Sequence, residues 1–155
     1  MRVAITGSTG LIGSSLKPHL ESLGHEVIRV VRSAASGTDI VWSPAECKID
    51  THALDGVDAV VHLAGAGIGD KRWTDDYKRE LLESRTKGTT LISEAIAAAD
   101  DGPTVLLSGS AIGIYGARGD EELDETSSVG NGFLADICVR WEQATGMAAA
   151  AGGRV

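Results

Sequence analysis

The chain has 155 residues, of which 43% are hydrophobic and 23% are charged, the balance of an ordinary globular domain. Its formal net charge of −8 argues against a nucleic-acid-binding or anionic-membrane surface, although a local basic pocket for a phosphate is compatible with it. Two cysteines, Cys47 and Cys138, form neither a CxxC pair nor a metal-ligand spacing, which favours a reduced, cytoplasmic protein. We expect no membrane association, because neither a leader peptide nor a membrane-spanning stretch is visible.

The first predicted elements are a short strand and an amphipathic helix. Residues 3–6 form an apolar run that ends at a glycine, which is typical of a buried strand. Apolar residues at helical spacing then predict a helix from Leu11 to Leu23, and Gly24 is placed to cap its C-terminus.

The same alternation continues through the rest of the chain. Four more strands are predicted, over residues 27–31, 39–42, 58–63 and 104–108. Helices are predicted over residues 73–99 and 133–151, and residues 109–131 have the composition of a long loop. Regular strand–helix alternation predicts one domain of the doubly wound α/β class, a parallel Rossmann sheet with strand order 3-2-1-4-5.

The turn after the first strand carries three glycines, Gly7, Gly10 and Gly13, at GxxGxxG spacing. In dinucleotide-binding folds the first allows the tight turn, the second lets the backbone approach the pyrophosphate, and the third lets helix and strand pack. The helix N-terminus adds unpaired N–H groups and a partial positive charge. A glycine-rich turn without a ligand is the alternative, and a P-loop is excluded because no GK[ST] follows. The predicted pyrophosphate site comprises Gly7, Ser8, Thr9, Gly10, Leu11, Ile12 and Gly13.

The end of the second strand indicates which dinucleotide binds. An NAD site usually has an acidic residue there, which bonds the ribose 2′-hydroxyl, whereas this strand ends in Arg32 and Ser33 and the next acid is Asp39. The Arg32 guanidinium can pair with a 2′-phosphate in bidentate fashion, and Ser33 can add a hydroxyl. We therefore favour NADP over NAD; the alternative is that Arg32 is a solvated loop residue.

Several motifs resemble the extended short-chain dehydrogenase/reductase superfamily. They are Thr6-Gly7-Ser8-Thr9-Gly10-Leu11-Ile12-Gly13, Val60-Val61-His62-Leu63-Ala64-Gly65, and Ser108-Gly109-Ser110-Ala111 with Tyr115-Gly116. Others resemble its atypical subgroup of nucleoside-diphosphate-sugar epimerase-like, or cell-division-inhibitor-like, proteins. These are Arg72-Trp73-Thr74, Ser84-Arg85, and Gly132-Phe133-Leu134-Ala135 followed by Cys138 and Trp141-Glu142.

The resemblance implies cofactor contacts beyond the glycine turn. Leu63, Ala64 and Gly65 follow the fourth strand, where the superfamily's backbone lies along the cofactor, and Ser108 ends the fifth strand beside it. We interpret His62 as a packed strand-end histidine.

The resemblance also implies a catalytic serine at Ser110, whose hydroxyl would hydrogen-bond a substrate carbonyl or alcohol; a loop-capping serine is the alternative. Its usual partners are a tyrosine and a lysine four residues apart on the next helix. Leu134 and Cys138 stand at those positions and cannot relay protons in that way. Tyr115, in the loop just past Ser110, is a substitute acid/base candidate, or a ring that shapes the loop.

The superfamily's asparagine on the preceding helix falls at Arg85. We expect Arg85, with Glu80 nearby, to contact the nicotinamide half of the cofactor or the substrate, and a helix-surface salt bridge is the alternative. The acidic run over residues 120–125 matches no calcium-loop spacing, so we predict no metal site.

Three functions fit these features. The first is an NADP-dependent oxidoreductase or epimerase that acts on a small molecule with a non-standard acid/base. The second is an NADP-binding regulatory or sensor protein without catalysis, and the third and weakest is a structural fragment that needs a partner.

The resemblance implies a protein about twice as long, of which this chain would be the N-terminal part without the substrate-binding domain. The sheet would then be truncated before a sixth strand that begins at Arg154 and Val155. The fifth strand would be an unpaired sheet edge, which favours homo-oligomers through that edge.

Overall fold

The computed structural model describes residues 1–34 and 36–155. Its strands are β1 (Arg2–Thr6), β2 (Glu26–Val31), β3 (Ile40–Ser43), β4 (Lys48–Ile49), β5 (Ala59–His62) and β6 (Val105–Ser108). Its helices are α1 (Leu11–Ser22), α2 (Asp75–Ala98), α3 (Phe133–Gln143) and α4 (Gly146–Ala150). Short 3₁₀ turns follow β3 over Pro44–Glu46 and β6 over Ile112–Tyr115.

The six strands form one sheet in the order β4-β3-β2-β1-β5-β6. All neighbouring pairs are parallel except β3 with β4. The doubly wound class and the predicted strand order are therefore confirmed, with β5 and β6 as the predicted fourth and fifth strands. The sheet has one strand more than the sequence predicted. This is β4, a two-residue antiparallel strand at the edge of the sheet.

Local signals fix where the two long helices begin and end. Gly24 follows α1 with φ +82°, a left-handed conformation that glycine adopts without strain, and this confirms the predicted C-terminal cap. The α2 helix starts where the side chain of Thr74 accepts a hydrogen bond from the Tyr77 backbone N–H at 3.2 Å.

The central strand β1 is buried on both faces of the sheet, as expected for a parallel sheet covered by helices. On one face, Val3 and Ile5 pack with Leu16 and Leu20 of α1. On the opposite face, Ala4 belongs to a larger cluster with side chains of α2 and α4. The two clusters hold the carboxyl ends of β1 and β5 side by side, which is where a doubly wound sheet binds its ligands.

Two expectations about the C-terminal part are corrected. The single helix predicted over residues 133–151 is divided into α3 and α4, because the chain turns at Ala144 and Thr145 and then meets Gly146. The strand-five edge is also not fully unpaired. Arg154 already bridges to Val105 in parallel, and its carbonyl accepts the Leu106 N–H at 2.8 Å.

Candidate dinucleotide-binding site

Gly7 forms the tightest point of the turn between β1 and α1. Its φ of +66° is left-handed, and a Cβ atom there would lie 2.9 Å from the backbone of both Leu63 and Ala64. Real Cβ contacts are longer than this, so a side chain would push β1 away from the segment that follows β5. Glycine is therefore required both by the turn and by the close approach of the two chain segments.

Gly13 and Gly10 bring the start of α1 onto this turn. A Cβ on Gly13 would lie 2.3 Å from the carbonyl oxygen of Gly7, and one on Gly10 would lie 3.3 Å from the same atom. Gly10 is also the N-cap of α1, and its N–H donates to the Gly7 carbonyl at 3.0 Å. Gly7 and Gly13 thus have the turn and packing roles that the GxxGxxG spacing predicts.

The N-terminus of α1 has the electrostatic character of an anion site. Its N-cap provides no side-chain hydrogen bond and its first turn contains no acidic residue. The first backbone N–H groups of a helix have no partner within the helix, and they carry the positive end of its dipole. Leu11 and Ile12 occupy this turn and are 92% and 63% exposed. Beside it, the buried hydroxyl of Ser8 has no hydrogen-bond partner among the described residues.

A cleft of about 1390 Å³ lies against this turn, at the carboxyl ends of β1, β2, β3 and β5. Many of the predicted cofactor-binding residues line it. They are Gly7, Ser8, Thr9, Gly10, Arg32, Ser33, Leu63, Ala64, Gly65 and Glu80. Arg32 and Ser33 lie at the end of β2 and are exposed, so the guanidinium is accessible to a ligand in the cleft.

Sequence reasoning missed a second wall of the cleft. It consists of Trp42, Ser43, Pro44 and Ala45, which end β3 and begin the 3₁₀ turn. Trp42 is 95% buried in the core, and it also lines the cleft. The available signal was the position of these residues after a parallel strand, because ligand-contacting residues gather at that end of every strand.

The other end of the cleft is polar and is formed by residues that follow β5 in the chain. Lys71 and Glu80 line it and form an exposed ion pair, with Nζ 3.1 Å from Oε2. The hydrogen bond and charge of Glu80 raise the pKa of Lys71. Tyr77 is buried beneath Lys71 and donates its hydroxyl hydrogen to the Gly67 carbonyl. This end therefore combines a paired cation and anion with a buried phenol.

Two buried polar side chains lie beneath the cleft, where β1 meets β5. The hydroxyl of Thr6 contacts Nδ1 of His62 at 2.8 Å and accepts the N–H groups of Leu63 and Ala64. His62 is completely buried, as predicted for a packed histidine, and burial lowers its pKa to about 4.

Arg85 lies behind the cleft and does not line it. Its Nη1 donates to the carbonyls of Ala66 and Leu81 at 3.0 and 3.1 Å, and its guanidinium lies over the Trp141 ring. Burial lowers its pKa. Arg85 therefore forms no salt bridge among the described residues and is not part of the cleft wall. It connects the segment after β5 to α3.

The structure places the predicted catalytic residues beyond the cleft lining. Ser110 follows β6 and donates its hydroxyl hydrogen to Glu142 of α3. Tyr115 ends the 3₁₀ turn after β6 and is partly exposed.

Cys138 is buried nearby. Its burial and, to a smaller extent, the charge of Glu142 raise the pKa of its thiol. A protonated Cys138 at neutral pH is not an activated nucleophile. Ser108 ends β6, also outside the cleft lining.

Across the described residues, no helix combines the length and the apolar character that crossing a membrane requires.

Known proteins resemble this chain in both sequence and structure. It is 46% identical over 154 residues to the Epimerase family protein Mb2239 of Mycobacterium bovis, and the match covers 99% of this chain and 50% of that protein. A nucleoside-diphosphate sugar epimerase from Corynebacterium glutamicum has a similar structure, with a TM-score of 0.87 and 42% identity over 100% of this chain and 32% of the other.

The structure of the human epimerase family protein SDR39U1 with NADPH has a TM-score of 0.81 at 32% identity. The match covers 94% of this chain and 48% of the human one. This chain thus spans about half the length of the curated relatives it matches.

The model of the NAD dependent epimerase/dehydratase family matches residues 3–132, which include the glycine turn, every residue that lines the cleft and the segment after β6. This agrees with the resemblance to epimerase-like short-chain dehydrogenases/reductases that the motifs indicate. The chain belongs to the NAD dependent epimerase/dehydratase family.

Proposed function

We propose that this chain binds NADP(H), with the pyrophosphate at the N-terminus of α1 and the dinucleotide lying in the adjoining cleft. The observation that carries the proposal is the glycine cradle. A Cβ on Gly7 or Gly13 would lie 2.9 or 2.3 Å from backbone atoms, and one on Gly10 would lie 3.3 Å from the Gly7 carbonyl oxygen. An uncapped helix terminus without acidic residues faces the same turn.

The preference for NADP rests on the end of β2. Arg32 and Ser33 line the cleft there, and a guanidinium matches the geometry and charge of a 2′-phosphate. The next acid along the chain after β2, Asp39, is held by Arg29 through hydrogen bonds of 2.6 and 2.9 Å and does not line the cleft, so it is not placed like the carboxylate of an NAD site. The NADPH complex of the 32% identical human protein supports the same choice.

A substitution at Leu11 tests the site without disturbing the core. Leu11 is 92% exposed at the start of α1, so Leu11→Asp removes little packing and places a carboxylate at the positive end of the helix. We expect the fold to be at least as stable and the Kd for NADPH, measured by cofactor fluorescence, to rise more than about tenfold.

The matched control is Ser22→Asp, which adds the same charge to an exposed position at the opposite end of α1. It should bind NADPH like the wild-type chain. Equal affinity of the Leu11→Asp variant and this control would rule out pyrophosphate binding at the α1 terminus.

For the whole protein we propose an oxidoreductase or sugar-nucleotide epimerase of the short-chain dehydrogenase/reductase type that acts on a small molecule. Its proton transfer would depend on Ser110 or Tyr115, because Leu134 and Cys138 occupy the places of the usual tyrosine and lysine. Ser110→Ala or Tyr115→Phe should reduce turnover and leave NADPH affinity unchanged. The free, widely separated cysteines fit a reducing compartment, so the proposed location is the cytoplasm.

An NADP(H)-binding sensor without catalysis is the second candidate, and one contact favours it. The Ser110 hydroxyl is occupied by Glu142, and Cys138 beside it is a protonated thiol. A change in the absorbance of the reduced nicotinamide during incubation with a panel of carbonyl and sugar-nucleotide substrates would identify the enzyme. Cofactor binding without any turnover would identify the sensor.

A further inference from the structure

The hydroxyl of Thr6 has three hydrogen-bond partners at the carboxyl end of β5. Its oxygen accepts the N–H of Leu63 at 3.0 Å and that of Ala64 at 3.1 Å, and it lies 2.8 Å from Nδ1 of His62. A hydroxyl has two acceptor lone pairs and one proton. Because the two amides use both lone pairs, the proton goes to Nδ1. His62 is therefore a hydrogen-bond acceptor at Nδ1 and carries its own ring proton on Nε2.

The surroundings of His62 agree with a neutral ring. The side chain has no solvent exposure, and burial lowers its pKa to about 4. Its Nε2 has no hydrogen-bond partner among the described residues. The ring meets Trp42 edge to face, with centroids 5.8 Å apart and planes at 90°. A neutral imidazole fits this apolar contact, whereas an imidazolium would have to donate from Nδ1 to an oxygen that already receives two N–H groups.

The Thr6 hydrogen bonds also determine what the cleft can bind. Leu63 and Ala64 line the cleft, but their N–H groups are used by Thr6 and are not free to bind a phosphate. The same backbone is the surface against which Gly7 packs. The position of this segment therefore controls both the shape of the glycine turn and the width of the cleft above it.

We propose that His62 is a positioning residue for the cofactor cleft. Its neutral, Nε2-protonated ring orients the Thr6 hydroxyl so that it holds Leu63 and Ala64 against the glycine turn, and the other side of the ring supports Trp42 on the cleft wall. This inference rests on the proposed function, because cofactor affinity is the property that the positioning serves.

Two variants of His62 separate positioning from packing. The side-chain oxygen of asparagine reaches the place of Nδ1 and can accept from Thr6, whereas that of glutamine reaches the place of Nε2. We expect His62→Asn to bind NADPH within about threefold of the wild-type chain and His62→Gln to bind about tenfold more weakly. Thr6→Ser and Thr6→Val form a second pair, in which serine keeps the hydroxyl and should keep the affinity.

The tautomer of His62 supplies a readout that does not depend on NADPH or on variants. Long-range ¹H–¹⁵N correlation spectra at neutral pH should show a proton on Nε2 and none on Nδ1. Amide exchange at Leu63 and Ala64 should be slow in the wild-type and Thr6→Ser chains, and faster in Thr6→Val.

The outcomes distinguish this inference from the proposed function. A wild-type chain that does not bind NADPH contradicts the proposed function, whereas a proton on Nδ1 of His62 overturns the positioning role whatever the chain binds. Equal NADPH affinity of the Asn and Gln variants also overturns it. Should the Gln variant fail to fold, the Thr6 pair and the tautomer of the wild-type chain decide the question.

Discussion

At the end of β2, Arg32 is an exposed guanidinium on the wall of the cleft. Arg32→Asp would remove the cation that can pair with a 2′-phosphate. In its place it would put a carboxylate that can accept a hydrogen bond from a ribose hydroxyl. We expect the Kd for NADP(H) to rise at least about tenfold and the Kd for NAD(H) to change much less, when both are measured by titration.

A matched control for that variant is Arg140→Asp, which makes the same charge change at an exposed position of α3 outside the cleft lining. It should leave both affinities unchanged, which excludes an effect of net charge alone. Equal loss of NADP(H) and NAD(H) binding in the Arg32 variant would remove Arg32 from the phosphate site.

The buried ring of His62 also predicts how stability depends on pH. Its pKa falls from 6.5 to about 4 on folding, so the unfolded chain binds a proton that the folded chain excludes between these values. Burial is the sole cause of this shift in the described part of the chain. Stability should therefore decrease as the pH falls below 6.5 and continue to decrease until about pH 4, by about 3 kcal/mol at most.

Denaturant unfolding at several pH values measures this effect. The His62→Asn variant does not titrate in the same range, so the difference between its unfolding free energy and that of the wild type should change over that interval. Parallel pH profiles of the two chains would show that His62 does not contribute.

Sequence predicts the role of a residue best when that role depends on its neighbours along the chain. The positions of Gly7, Gly10 and Gly13 are set by spacing within one turn, and the structure gives Gly7 and Gly13 the close backbone approach expected of a tight turn and of helix packing. Trp42 and Ala45 were not predicted as cleft residues, because no motif marks them and their place depends on the 3₁₀ turn that follows β3. The contacts of Arg85 with the Ala66 carbonyl and the Trp141 ring were not predicted either, because they form only when α2 and α3 pack together.

At the scale of elements, the start of α2 depends on a single cap. Thr74 accepts the Tyr77 N–H, and no other side chain caps this terminus among the described residues. Thr74→Ala should lower the unfolding free energy by about 1 kcal/mol, which denaturant titration can measure. Thr90→Ala, in the interior of the same helix, is the control and should be nearly neutral or slightly stabilising. A loss of stability equal in both variants would contradict the capping role.

The elements that sequence predicted well are long or carry strong terminal signals. The α1 helix has both periodic apolar residues and Gly24 after its end, and it was placed within one residue at its C-terminus. The two-residue strand β4 has no periodicity to detect, and it forms because β3 offers it an edge. The break between α3 and α4 was missed because an alanine-rich segment around Gly146 has helical composition on both sides.

At the scale of the whole molecule, the topology could be predicted because parallel strands need helical crossovers. Alternating strands and helices allow few arrangements, and burial of β1 on both faces puts it in the centre of the sheet. The residues that line the cleft could not be predicted in the same way. Strand–helix alternation gives the order of the strands but does not show which loop side chains reach the cleft.

The outer edge of β6 leads to a prediction about association. Arg154 pairs with the start of the strand, but the Leu106 carbonyl and the Ser108 N–H, which face the same side, have no strand partner in the part of the chain that the structure describes. Leu107 lies between them and is 58% exposed. An edge of this kind pairs readily with another chain, so we expect the 155-residue chain to self-associate through β6.

Sedimentation velocity over a range of concentrations would measure this association. Leu107→Lys adds a charge beside the open edge and should shift the chain towards monomer, because a lysine on an edge strand opposes pairing. Met147→Lys, at a similarly exposed position of α4 (52% exposed), should not. A wild-type chain that remains monomeric at high concentration, with slow amide exchange at Ser108, would show that the β6 edge is already protected and that the prediction is wrong.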